Sequence, residues 1–161
     1  ALAAIDTVLS QAGERGITVA LAKGEPAIID ADRGEMEIIF NNLLSNAVKY
    51  NRDGGRVDVK VAAGEADAVI TVSDTGIGMT SEEAARLFTE FVRIKNEKTR
   101  NILGSGLGLS IIKKLALIYG GDVSIQSTPD AGSTFTVTIP RVVKANGAAA
   151  GAGGVEARAA K

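Results

Sequence analysis

Two hairpin signatures, separated by a stretch long enough for two helices and a loop, constrain the fold of this chain more than any other feature. Val57 to Ala63 and Ala68 to Ser73 read as strands around the turn Gly64-Glu65-Ala66-Asp67. Val123 to Ser127 and Thr134 to Ile139 read as a second pair, joined by Pro129-Asp130-Ala131-Gly132. Strands that pair in this way, with helices between the pairs, do not make a strict βαβ alternation. They favour an α+β chain: a two-layer α/β sandwich with a mixed sheet. Short strands are also expected at Ile17 to Leu21 and at Ala27 to Ile29.

Helical periodicity supplies the second layer. Leu2, Ile5, Val8 and Leu9 mark a helix over Leu2 to Gln11. A longer one starts at Asp32 with Glu35 three positions on, a capping-box spacing. It runs to about Tyr50 and stops at the turn cluster Asn51-Arg52-Asp53-Gly54-Gly55. Thr80 with Glu83 opens a third, carrying Leu87, Phe88 and Phe91, and a fourth runs from about Gly106 to Tyr119 and ends at Gly120-Gly121. The expected division is 1–12 as the end of a preceding linker helix, 13–141 as the domain and 142–161 as a flexible tail. From Ala145 to Lys161, 12 of 17 residues are Ala or Gly, too little apolar surface to offset ordering entropy.

Composition removes whole classes of chemistry. The chain of 161 residues has no Cys, hence no disulfide, Cys-ligated zinc, iron–sulfur cluster or thiol nucleophile. It has no His, hence no imidazole base or ligand and no Ser-His-Asp triad. A formal net charge of −1 argues against a nucleic-acid partner. The longest charge-free stretch, Asn101 to Ile112, is 12 residues, too short and too polar to span a membrane. The chain opens on Ala, with no signal-peptide pattern; we expect a cytoplasmic piece of a longer protein, membrane-anchored or not.

Three clusters carry candidate chemistry. On the helix from Asp32, Asn42, Asn46 and Lys49 fall within roughly 60° of one another, at about 100° per residue. Met36, Phe40, Leu43 and Ala47 take the adjoining apolar face. Two amide oxygens and one ammonium on one edge suit a Mg²⁺-phosphate group, although a solvated helix face needs the same residues. Asp74-Thr75-Gly76-Ile77-Gly78-Met79 puts a carboxylate at a strand end, then glycines that let backbone approach a flat ligand. Ile77 and Met79 would wall it; a tight turn would use the same glycines. Gly104-Ser105-Gly106-Leu107-Gly108-Leu109-Ser110 opens the last long helix, where unpaired N–H groups and the dipole favour an anion. It matches neither a dinucleotide fingerprint nor a Walker A loop, and a glycine hinge is the plain alternative. The loop before it holds Arg93, Lys95, Lys98 and Arg100 against Glu97.

In this order the clusters resemble the catalytic ATP-binding domain of bacterial sensor histidine kinases, in the superfamily that includes DNA gyrase B. Asn42 to Tyr50 (NLLSNAVKY) is similar to the family's N box, Asp74 to Gly78 to its G1 box and Phe88-Thr89-Glu90-Phe91 to its F box. Gly104 to Leu109 is similar to the G2 box, and Gly132-Ser133-Thr134-Phe135 through Pro140 to the closing strand. The resemblance covers roughly Asp32 to Pro140. It implies a Bergerat-type fold: a mixed, mostly antiparallel sheet under three main helices, with ATP between the helices and residues 92–103 as a mobile lid. By similarity, Asn46 ligates Mg²⁺ with Asn42 in support, Lys49 contacts phosphate and Tyr50 flanks the nucleotide. Asp74 receives the adenine amino group, Gly76 and Gly78 shape the turn, and Met79 and Thr134 lie nearby. Ser105, Gly106, Leu107, Gly108 and Leu109 hold the phosphates, and Arg93 approaches the γ-phosphate.

The implied activity is a protein histidine kinase that donates the γ-phosphoryl of Mg·ATP to a histidine elsewhere. The implied partners are ATP and ADP, the dimerisation and histidine phosphotransfer domain of the parent protein and, indirectly, a response regulator. Hydrolytic relatives place a base-supplying glutamate four residues before the Mg²⁺-binding asparagine; Asn42 stands there and cannot act as a base. A nucleotide-dependent docking module without phosphoryl transfer is the alternative. Val92 and Asp53 depart from the family, which frequently has an aromatic residue and proline at those positions.

Overall fold

Alternating apolar residues decide which face of each strand is covered. The structure, a computed structural model, describes residues 2–22, 24, 26–88, 99 and 106–141. Among these, the helices are α1 (Leu2–Glu14), α2 (Arg33–Lys49), α3 (Ser81–Arg86) and α4 (Gly108–Ile118). The strands are β1 (Thr18–Leu21), β2 (Arg56–Ala63), β3 (Asp67–Asp74), β4 (Asp122–Thr128) and β5 (Gly132–Pro140). They form one sheet in the order β1-β2-β3-β5-β4. Only β1 with β2 is parallel; the other pairs are antiparallel. The mixed, mostly antiparallel α+β sandwich expected from the hairpins is therefore observed, and both hairpins are present.

One face of the sheet is apolar. Val57 and Val59 of β2, Ile70 and Val72 of β3, and Phe135, Val137 and Ile139 of β5 pack against Ile39, Leu43, Leu44 and Val48 of α2 and Ile112 and Ala116 of α4. The opposite face carries Thr71, Ser73, Thr134, Thr136 and Thr138, all half-buried. Ala4, Ile5, Val8 and Ala12 of α1 belong to the same buried cluster, so α1 is part of the core and runs two residues past the expected boundary at 12.

Two expectations need correction. Ala27 to Ile29 forms no strand. Pro26 has no N–H to offer a ladder, and Ile28 is 60% exposed while Ile29 packs on the core. The Asp32–Glu35 capping box closes only on one side: Asp32 Oδ1 accepts from Glu35 N–H at 3.0 Å. The return bond is replaced by Tyr119, whose hydroxyl accepts from Asp32 N–H at 3.0 Å and donates to the Glu35 carboxylate. The end of α4 is thereby tied to the start of α2. At α3, Thr80 and Glu83 make the full reciprocal box. Leu87 and Phe88 follow α3 in a turn and pack on the core; Thr89, Glu90, Phe91 and Val92 lie outside the described residues, as does the tail.

Candidate functional site

The site is built along one edge of α2. Its 17 residues place Asn42 and Asn46 half-buried on the rim of the apolar layer, with Lys49 and Tyr50 at the C-terminal end. Asn42 lies against the start of α4. Its Nδ2 donates to Ile38 O at 2.8 Å, and a Cβ at Gly108 would stand 2.5 Å from its Oδ1. Gly108 therefore lets the two helices meet. Lys49 Nζ lies 5.7 Å from the centre of the Tyr50 ring, a cation–π distance.

At the other end of this edge stands Asp74. On β3, Ala68, Ile70, Val72 and Asp74 point to the same face, so strand alternation carries a carboxylate into the apolar layer. It is 9% exposed. Burial pushes its carboxyl up to about 6, although the backbone N–H groups of Gly76 and Ser133 pull the other way. Gly76 N–H donates to Asp74 Oδ1 at 2.8 Å. Gly76 itself is squeezed: a Cβ would overlap the Tyr50 carbonyl and come 2.7 Å from Asp74 Oδ1. Ile77 N–H donates to that same Tyr50 carbonyl at 3.1 Å, which joins this turn to the end of α2.

The rest of the turn is pinned to the β4–β5 hairpin. Gly78 has φ +59° and a Cβ there would overlap the Thr128 carbonyl. Asp130 N–H donates to Ile77 O at 2.8 Å, and Met79 N–H to Ser127 Oγ at 2.8 Å. Ser127 Oγ in turn lies 2.9 Å from Ser133 Oγ. Met79 is half-buried and packs on the core.

Thr134 does not face Asp74. Its register partner is Ser73, and the two hydroxyls lie 2.7 Å apart on the polar face of the sheet. Ser133, buried, is the residue paired with Asp74, and Thr134 is its neighbour on the other face. Strand phase was the available signal: Ser133 alternates with Phe135, Val137 and Ile139, whereas Thr134 alternates with Thr136 and Thr138. Sequence reasoning also missed Asn51, which is buried. Its Nδ2 donates to Arg56 O at 3.1 Å and its Oδ1 accepts from Arg52 N–H and the Thr75 hydroxyl.

The glycine segment is described from Gly106 onward. Gly106 has φ +76°, Leu107 stands at the N-cap of α4 without a side-chain cap bond, and Ser110 Oγ donates to Leu107 O at 2.9 Å. Leu109 is half-buried against the core. Arg93 and Ser105 lie outside the described residues, as does the expected lid 92–103 except Thr99, which is buried. The structure thus brings Asn42, midway along α2, to Gly108, and Tyr50, at the C-terminal end of α2, to Gly76 beside Asp74.

Among the described residues no group of three or more His, Cys, Asp or Glu side chains is placed to hold a metal, and no helix is long and apolar enough to cross a membrane. A cation at this edge would meet neutral amide oxygens. That donor set suits Mg²⁺, which takes oxygen ligands and keeps several of its waters and phosphate oxygens.

Residues 31–143 match the family model described as histidine kinase-, DNA gyrase B- and HSP90-like ATPase. The chain is 43% identical over 145 residues to the sensor-like histidine kinase R01002 of Rhizobium meliloti (strain 1021), covering 87% of this chain and 27% of that protein. It is 42% identical over 113 residues to the circadian input-output histidine kinase CikA of Synechococcus elongatus, covering 70% and 15%. Full-length ShkA in complex with AMPPNP superposes with a TM-score of 0.76 at 30% identity, over 87% of this chain and 29% of that one. The mycobacterial sensor histidine kinase MprB superposes at 0.73 with 26% identity, over 87% and 95%. The chain spans about a quarter or less of the length of these two curated relatives. By the match over residues 31–143, the chain belongs to the histidine kinase-, DNA gyrase B- and HSP90-like ATPase family, and the relatives named here are sensor histidine kinases.

Proposed function

We propose that this domain binds Mg·ATP along α2 and presents its γ-phosphoryl to a histidine outside these 161 residues. The observation that carries the reading is the polar edge from Asn42 to Tyr50, bounded by the start of α4 and by a buried carboxylate. Eight residues of helix rise about 12 Å, a length comparable with a nucleotide triphosphate laid along the helix. Asp74, ionised, accepts the adenine amino group; Tyr50 flanks the base and Lys49 meets a phosphate. The α4 N-terminus directs N–H groups at the phosphates, and Asn46 with Asn42 supplies oxygens to Mg²⁺, which neutralises phosphate charge when bound.

Phosphoryl transfer then breaks the bond between the γ-phosphorus and the β,γ-bridging oxygen and forms one to an imidazole nitrogen, leaving ADP. Such a reaction asks the protein for positioning and charge neutralisation rather than an in-chain nucleophile. Hydrolysis is not favoured, because the Asn42 amide has no basic lone pair to take a proton from water.

Calorimetry with Mg·ADP tests the binding, and Asp74→Ala should abolish it; unchanged affinity removes the adenine assignment. Incubation with γ-labelled ATP and the histidine-bearing segment of the parent chain tests the transfer. Label on that segment supports the kinase. Tight nucleotide binding with no label instead supports a docking module governed by nucleotide.

A further inference from the structure

Arg15 follows α1 directly and is far in sequence from every box residue, yet its guanidinium ends at the site. Nη1 donates to Val48 O at 2.7 Å and Lys49 O at 3.4 Å, and Nη2 donates to Asn51 O at 2.7 Å. Nε donates to Asp53 Oδ1 at 2.8 Å. The carbonyls on both sides of Tyr50 therefore converge on one cation, while the Tyr50 carbonyl itself accepts from Ile77 N–H at 3.1 Å. Fixing the flanking carbonyls fixes the Tyr50 peptide, and with it the turn that carries Asp74 and Gly76.

Arg15 is itself held in place. Ile17 N–H donates to Ala12 O at 2.8 Å with Gly16 at φ +62°, closing α1, and Ala12 and Ile17 are both buried. Arg15 O accepts from Gly54 N–H at 2.9 Å, so backbone and side chain both grip the turn after α2. A planar fork can serve several carbonyls at once, whereas an ammonium has neither that shape nor that reach. We infer that Arg15 is a positioning residue for the nucleotide site, tying the end of α1 through the last turn of α2 to the Tyr50–Ile77 bond.

The inference rests on the nucleotide reading for its functional meaning, but one test does not need nucleotide. In the free protein, amide exchange at Ile77 should rise at least tenfold in Arg15→Lys, with amides of central β3 unchanged. Affinity for Mg·ADP should fall at least fivefold in the same variant, with a smaller loss in Asp53→Ala, which keeps the bonds to the carbonyls. Arg15→Ala should exceed both; where it does not fold, Arg15→Lys decides. Unchanged Ile77 exchange in folded Arg15→Lys overturns the inference. So does Mg·ADP affinity within twofold of the parent protein. If the parent itself fails to bind Mg·ADP, the nucleotide reading falls instead, and Ile77 exchange alone judges Arg15 as an anchor of the turn.

Discussion

Replacing Asp74 by Asn should stabilise the free domain while weakening its affinity for adenine nucleotides. Burial raises the carboxyl from 3.8 to about 6. A native pKa above the unfolded one means that the folded chain binds a proton where the unfolded chain does not. This contribution is fully present below about pH 4 and is lost as pH rises through about 6. At pH 7.5 the ionised carboxylate therefore costs roughly 3 kcal/mol, a little over two pKa units at about 1.4 kcal/mol each. Asparagine carries no charge into the apolar layer and keeps an oxygen for Gly76 N–H. Its amino group brings two donors that need partners and gives up the bond from Ser133 N–H, so we expect a net gain of about 1–2 kcal/mol. In a domain of this size that raises Tm by roughly 2–8 °C. Melting curves at pH 7.5 and 4.0 test the reasoning, with the gain present at the first and nearly absent at the second. Calorimetry should show Mg·ADP affinity lowered at least tenfold, because an amide whose oxygen stays on Gly76 N–H turns a donor toward the adenine amino group, itself a donor, where the carboxylate offers an acceptor. A lower Tm at pH 7.5, or an equal gain at both pH values, would refute the burial argument.

Affinity for Mg·ADP in the parent protein should fall as pH drops below about 6, because only the ionised Asp74 accepts from adenine; proton release on binding near pH 6, read from the buffer dependence of binding enthalpy, checks the assignment. Tyr119→Phe deletes the hydroxyl between Asp32 N–H and the Glu35 carboxylate, and chemical denaturation should report a loss of about 1–2 kcal/mol. Gly108→Ala should push Asn42 away from α4 and weaken ATP binding more than adenosine binding, whereas equal losses would place the effect elsewhere.

Local patterning accounts for much of the molecule. The N-cap at Asp32, the capping box at Thr80 and Glu83, and the two hairpin turns all involve residues a few positions apart, whose interactions exist as soon as the local backbone forms. The order of the glycine and asparagine clusters was equally legible, since residue type and spacing stand in the sequence itself and carry the resemblance. Asp74 could be placed at a strand end from its neighbours, but its burial follows from the phase of β3 against the helical layer.

The contacts that hold the site together have no such local signature. Arg15 reaches Asp53 across 38 residues and Tyr119 reaches Glu35 across 84. Pairs so distant along the chain are selected by how α1, α2 and α4 pack on the sheet, and no periodicity encodes that. Ser133 rather than Thr134 meets Asp74 because β5 pairs with β3 in one register, and a one-residue slip would exchange the two hydroxyls between faces. A residue's type sets what it can bond, but its partners here are set by strand register and helix packing, which are collective properties of the folded chain.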